Sequence, residues 1–321
     1  MNELKVTEHI ANSDKALFSF ELLPPLKGQD FTAIQKAIDP LIEFDPAFIN
    51  ITYHQQEVVY DTLDNGLMKK RTVRKRPGTV GISAAIKYRY GIPVVPHIIC
   101  GGFTREETEN ALIDLNFLGI KNLLVVRGDP PMGMKTFVPE PEGNAHSLDL
   151  VQQISELNNG KYLEDDIKNF RSTDFCIGVA GYPEKHSESP NLESDLHFLK
   201  KKVEAGAEYI VTQMFFDSQK YIDFVKNCRA KGIDVPIIPG LKPITTRNQM
   251  ISLPQTFHVD LPEMLVKEML KCKTNAEVRV VGIEWAIQQS KELLEFGVPG
   301  LHFYTMGKSD NIRKIAEAVF I

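Results

Sequence analysis

Few residues in this 321-residue chain suit crosslinks or metal sites. There are four cysteines, Cys100, Cys176, Cys228 and Cys272. They form no CxxC pair and lack His/Cys spacing typical of a metal site, so they read as reduced thiols and no metal is expected. No apolar run approaches bilayer length, and the opening MNELKVTEHIANSDK has no signal-peptide core, so a cytoplasmic protein with no membrane contact is expected. The formal charge of −5 lacks the basic excess of a dedicated nucleic-acid binder. G-x-S-x-G and P-loop motifs are missing, and no strand is followed by G-x-G-x-x-G. These absences weigh against acyl transfer, phosphoryl transfer and a Rossmann crevice.

What is present is the balance of a folded globular chain, 43% hydrophobic and 25% charged. Eight short apolar runs recur: Phe18–Leu23, Phe48–Tyr53, Val94–Cys100, Asn122–Gly128, Cys176–Tyr182, Tyr209–Phe215, Val235–Leu241 and Gly300–Met306. They read as strands buried on both faces. Amphipathic segments alternate with them: Phe31–Phe44, Val80–Tyr90, Thr104–Leu118, Leu148–Leu157, Leu192–Ala205, Gln219–Ala230, Thr246–Ser252 and Asn275–Phe296, with Asp310–Phe320 at the end. Eightfold alternation predicts parallel strands and an α/β fold, a (β/α)8 TIM barrel with extended βα loops, occupying 1–321 as one domain. A doubly wound open sheet is the rival, disfavoured by the strand count and the missing glycine fingerprint. Two connections exceed ordinary loop length, Gln55–Gly78 and Pro130–Asn144, and both fall on the βα side where barrel enzymes build their sites.

The polar residues ending the apolar runs would share one rim: Glu21, Thr52 and Tyr53, His97, Arg127-Gly128-Asp129, Tyr182 with His186, Gln213, Lys242, and His302 with Tyr304. Each alone has an ordinary structural role, as a cap or a satisfied core group. Together on one rim they point to a site. Glu21 stands among Phe20, Leu22 and Leu23 before Pro24-Pro25, so desolvation should raise its pKa and make it a general acid. Asp129, beside the Arg127 cation, reads as a carboxylate that stabilises developing positive charge. Lys242, in PGLKP, reads as a solvated loop lysine, with a Schiff-base role less favoured.

The motifs FSFELLPP, NITY, PHIIC, VVRGDPP, VAGYPEKH, KKKVEAGAEYIVTQMFFD, IIPGLKPI and GLHFYTM, in this order from Phe18 to Tyr304, resemble the methylenetetrahydrofolate reductase family. The resemblance implies a barrel that uses FAD and NAD(P)H to reduce 5,10-methylenetetrahydrofolate to 5-methyltetrahydrofolate for methionine synthesis. Ping-pong turnover at one site and a homo-oligomer are implied as well. By this resemblance Glu21 is the acid assisting imidazolidine ring opening, and Asp129 stabilises the resulting 5-iminium cation. Gln213 hydrogen-bonds the pterin, Thr52 contacts nicotinamide, and Lys308 stands where a substrate-binding arginine is common. Flavin falls to Tyr53, His97, Arg127, Gly128, Asp129, Tyr182, His186, Asp195, Lys201 and Lys202. Arg247 departs from a usually aromatic position. Another flavin barrel of proline dehydrogenase type, or a subunit receiving electrons from a partner protein, are the alternatives. The basic run Lys69–Gly78 reads as a solvated loop or as an attractor for an anionic substrate tail.

Overall fold

The computed structural model describes residues 3–130, 134, 136–168 and 170–321. Its strands are β1 Leu17–Leu22, β2 Phe48–Ile51, β3 Glu57–Thr62, β4 Met68–Val73, β5 Val94–Ile99, β6 Asn122–Val126, β7 Cys176–Gly181, β8 Tyr209–Thr212, β9 Ile237–Ile238, β10 Gly240–Leu241 and β11 Gly300–Tyr304. Nine of them form one parallel sheet in the order β10-β11-β1-β2-β5-β6-β7-β8-β9. The two ends of that order are the same run of chain, parted at Pro239. Ile210 N–H donates to the Pro236 carbonyl and His302 N–H to the Pro239 carbonyl, so this run pairs with β8 through its first half and β11 through its second. Proline has no N–H for the ladder, hence the break. The eight expected strands therefore make a (β/α)8 barrel.

The helices are α1 Val6–Ala11, α2 Thr32–Ile38, α3 Thr79–Tyr90, α4 Arg105–Phe117, α5 Ser147–Asn158, α6 Leu192–Glu204, α7 Ser218–Ala230, α8 Gln249–Phe257, α9 Glu263–Lys271, α10 Asn275–Phe296 and α11 Asp310–Phe320. Two cores follow from strand alternation. Phe18, Phe20 and Leu22 of β1 pack outward into the main core with Leu241, Phe303 and the helices. Phe48, Val95, Leu124, Cys176, Tyr209 and Ile238 form a second cluster inside the ring, which Val6 of α1 joins. Val6 N–H donates to Asn122 Oδ1 over 2.8 Å, fixing α1 at the start of β6.

Three local expectations are corrected. The helix read over Phe31–Phe44 ends at Ile38 and continues as a 3-10 turn, Asp39–Phe44, because Pro40 cannot supply an α-helical N–H. Gln55–Gly78 is not an irregular loop: it contains the antiparallel ribbon β3–β4, turning at Gly66 with φ 78°. Its charges mask the strand alternation, and cross-strand pairing supplies the stability. The expected helix Thr246–Ser252 forms as α8, and α9 follows it unforeseen; both cover an apolar cluster around Met214, Phe216 and Ile244. Within Pro130–Asn144, residues Pro131, Met132, Gly133 and Lys135 lie outside the described residues. All four cysteines are buried, and among the described residues no helix is long and apolar enough to cross a membrane.

Candidate active site

β1 alternation turns Ser19 and Glu21 away from the outer core and toward the barrel lumen. Register places Glu21 level with Asn50 of β2 and Tyr304 of β11. The Glu21 side chain keeps 12% of its surface exposed. Burial pushes its pKa up to about 8, opposed by the Lys242 cation. Across the lumen His97 Nε2 lies 3.4 Å from Glu21 Oε2, and burial pushes that imidazole down to about 3, with His54 acting in the same direction. At neutral pH the contact is therefore between a protonated carboxyl and a neutral ring, not an ion pair.

The supports of Glu21 come from distant parts of the chain. Thr305 Oγ1 donates to the Glu21 backbone carbonyl over 2.7 Å, and Thr52 N–H donates to the Leu22 carbonyl over 3.2 Å. Tyr304 OH donates to the Thr212 carbonyl over 2.6 Å. Its ring passes over Gly240, where a Cβ would stand 2.6 Å from the ring and 2.2 Å from the Thr212 oxygen. Lys242 is not the solvated lysine expected: it is 7% exposed, where the chain leaving β10 lies beside Phe216, Trp285 and Gln289. Burial lowers its pKa to about 8, against the raising influence of Glu21.

A second cluster forms beyond β6 and β7. Arg127 makes a bidentate pair with Glu188, 2.6 and 2.8 Å, and its guanidinium covers the Phe137 ring at 4.9 Å. Gly128 has φ 88°, a left-handed conformation that leaves its backbone open; the Gln55 amide beside it donates to the Asp129 carbonyl over 2.9 Å. Tyr182 meets His186 edge to face at 4.8 Å. Asp195, in the first turn of α6, accepts from His186 N–H at 3.3 Å and Ser189 Oγ at 2.8 Å, so it holds the loop after β7 in place. Burial pulls the Lys202 ammonium down, with Asp195 the main opposing charge. No carboxylate pairs with it within 4.0 Å among the described residues.

The expected site residues thus separate into two groups. Glu21, Thr52 and His97 join the lumen group, whereas Arg127, Gly128, Asp129, Tyr182, His186, Asp195 and Lys202 join the second. Tyr53 lies between: its OH accepts from Arg74 at 3.2 Å, and with His97 it lines a hollow of about 330 Å³ beside Val80, Phe103 and Thr108. Gln213 follows β8, its Oε1 accepting from Met214 N–H at 2.9 Å. Lys308 is exposed in the turn before α11, its N–H donating to the Thr305 carbonyl over 3.0 Å. Lys201 stands apart from the cluster that Lys202 joins, exposed with its ammonium 5.8 Å from the Phe198 ring; consecutive helical residues point about 100° apart. Sequence reasoning missed Asn50, Glu188 and Thr305. Asn50 carried a signal, a lone amide inside the apolar run FINIT, and it is fully buried with its Oδ1 lacking a partner among the described residues.

A buried ammonium, a guanidinium on an exposed partner and open glycine backbone suit an anionic ligand, and Tyr182 supplies an aromatic wall. Among the described residues no group of three or more His, Cys, Asp or Glu is arranged to hold a metal ion. The family profile described as methylenetetrahydrofolate reductase matches residues 5–319. The chain belongs to this family. Methylenetetrahydrofolate reductase (NADH) 1 of Arabidopsis thaliana is 31% identical over 307 residues, covering 92% of this chain and 47% of the relative. The 5,10-methylenetetrahydrofolate reductase of Salmonella typhimurium is 31% identical over 293 residues, covering 91% and 86%. This methylenetetrahydrofolate reductase homologue therefore spans about half the length of the plant relative and is nearer the bacterial one in extent. A solved Clostridium thermocellum protein, described as binding two copies of 5-methyl-5,6,7,8-tetrahydrofolic acid, superposes with TM-score 0.59 at 17% identity, covering 97% of this chain and 96% of that one. It shares the fold.

Proposed function

We propose that this chain reduces 5,10-methylenetetrahydrofolate to 5-methyltetrahydrofolate, with NAD(P)H as donor and FAD as the bound carrier. The observation that carries the reading is Glu21, a carboxyl held protonated near neutral pH at the barrel mouth. When bound, reduced FAD supplies the hydride. Glu21 gives its proton to the amine nitrogen released as the imidazolidine ring opens, and Asp129 faces the positive charge that develops. Arg127, Lys202 and the Gly128 backbone suit the diphosphate, while Tyr53, Tyr182, His186, Asp195 and His97 line the rest. Lys201 joins them only through a change of side-chain conformation. Gln213, Thr52 and Lys308 are assigned to the folate and nicotinamide substrates, which use the site in turn. The methyl product would serve methionine synthesis.

The test is spectroscopic. The purified protein should be yellow, NADH or NADPH should bleach it anaerobically, and methylenetetrahydrofolate should restore the colour. A colourless protein that added FAD does not restore, or a bleached protein that the folate leaves unchanged, overturns the proposal. A yellow protein that neither nicotinamide bleaches favours electron supply from a partner protein.

Lys202 gives a separate expectation. Lys202→Met should keep the far-ultraviolet spectrum and weaken FAD at least about tenfold, since a charge-assisted contact to phosphate contributes roughly 1.5–3 kcal/mol. Flavin fluorescence titration measures it, and unchanged affinity would remove Lys202 from the cofactor site.

A further inference from the structure

The buried lysine at the end of the seventh stave has no counterpart in the assignments above. Leu241 pairs with Phe303 and Glu21 with Tyr304, so Lys242, one residue beyond Leu241, stands level with Tyr304 and, one strand further, with Glu21. Phe20, Phe303 and Leu241 all belong to the outer core. The next residue on β1 and on β11 therefore faces the lumen, and Lys242, just past the end of β10, continues the row of Glu21 and Tyr304 by one stave.

Lys242 is 7% exposed. Among the described residues its ammonium has no carboxylate within 4.0 Å and no hydrogen-bond acceptor. A largely buried cation without a direct partner is costly, so its placement favours an opposite charge nearby. Glu21 is the acidic group whose field acts on it, while Lys308, from the turn before α11, acts as a like charge. Facing Glu21 are His97 of β5 at 3.4 Å and the Tyr304 phenol of β11. His97 stays neutral, as does His302 one layer below, pushed by burial down to about 3. Among the described residues Lys242 is thus the one cation that acts on the carboxyl.

We propose that Lys242, two staves from Glu21 across Tyr304, is the partner charge of that carboxyl and a positioning residue for the acid. The role in turnover rests on the reductase reading. When Glu21 passes its proton to the departing folate nitrogen, the O–H bond breaks, an N–H bond forms, and a carboxylate is left in a low-dielectric lumen. The Lys242 ammonium stabilises that carboxylate, which makes Glu21 a stronger acid than burial alone would allow. The two groups titrate as a coupled pair.

The decisive experiment needs no substrate. The infrared C=O stretch of a protonated carboxyl is followed against pH in the full chain, with Glu21→Gln identifying the band by its loss. Lys242→Met and Lys242→Gln should each move the midpoint upward by roughly one pH unit or more, and Lys242→Arg, which keeps the charge, should hold it near the wild-type value. An unchanged or lowered midpoint in both uncharged variants overturns the proposal. Because the band is read in the resting protein, this outcome is separable from failure of the reductase reading, which the bleaching experiment decides. Where folate reduction is observed, the alkaline limb of that half-reaction should shift upward in Lys242→Met, with its maximal rate lowered, while flavin reduction by the nicotinamide keeps its pH profile.

Discussion

Glu21→Gln should abolish folate reduction while leaving flavin reduction by NAD(P)H intact. Only the folate half-reaction needs a proton from this position, and removal of a general acid costs about 10²–10⁴-fold in rate. Glutamine preserves the shape and the neutral charge of the protonated acid, so cofactor binding should survive. Stopped-flow measurement of each half-reaction separates the two, and parallel loss of both would show that Glu21 supports the cofactor instead.

The same substitution should stabilise the fold at alkaline pH. Glu21 binds its proton more tightly in the native barrel, with a pKa near 8 against 4.5. Its contribution is therefore fully present below the unfolded value and is lost as pH rises through about 8. Glutamine has no proton to lose. Its advantage over the wild type should be absent near pH 4 and grow to the order of a few kcal/mol above pH 8. Lys242 runs the opposite way: its native pKa is lowered from 10.5 to about 8, so the cost of burying it is fully present below 8 and fades as pH rises through that window. Denaturant unfolding of Glu21→Gln and Lys242→Met from pH 6 to 9 distinguishes the two contributions. A gain for Glu21→Gln that does not grow with pH would show that the carboxyl is not buried as a neutral group.

Gly240→Ala should be among the most damaging single-methyl changes in the chain. The added carbon would meet the Thr212 carbonyl at 2.2 Å and the Tyr304 ring at 2.6 Å. Neither can yield freely, since the phenol donates to that same carbonyl and Gly240 is itself paired with His302 in the ladder. Overpacking against a fixed backbone costs about 1–3 kcal/mol or more. Relief would displace Tyr304, the residue that separates Glu21 from Lys242, so activity should fall along with the melting temperature. Gly81→Ala is the control: it lies inside α3 with nothing within 4 Å of its built Cβ, and alanine there should be neutral or stabilise by up to ~1 kcal/mol. Equal melting temperatures for the two variants would refute the steric account.

The burial of Glu21 was legible because its environment is local. Phe18, Phe20 and Leu22 alternate with Ser19 and Glu21 along one short strand, which is enough to infer a carboxyl out of water. Arg127 was legible as a cation at a strand end, but its bidentate partner Glu188 is 61 residues away and carries no mark of that contact. Charges in EVVYDT and MKKRTV hid a ribbon whose stability lies in the pairing of the two segments, not in either one. Lys242 was misread for a similar reason. A lysine between glycine, leucine and prolines has the composition of a loop, and its burial comes from distant neighbours such as Phe216, Trp285 and Gln289.

The sequence by itself determined the eight staves, most of the helices between them, the family and a carboxyl withdrawn from water at Glu21, because periodic burial and short motifs are properties of consecutive residues. Tertiary structure decided how barrel closure joins the first and seventh staves through the eighth, and so set Glu21, Tyr304 and Lys242 in one row. Register and desolvation arise only when strands from opposite ends of the chain lie side by side, and those two quantities set the charge state of the site.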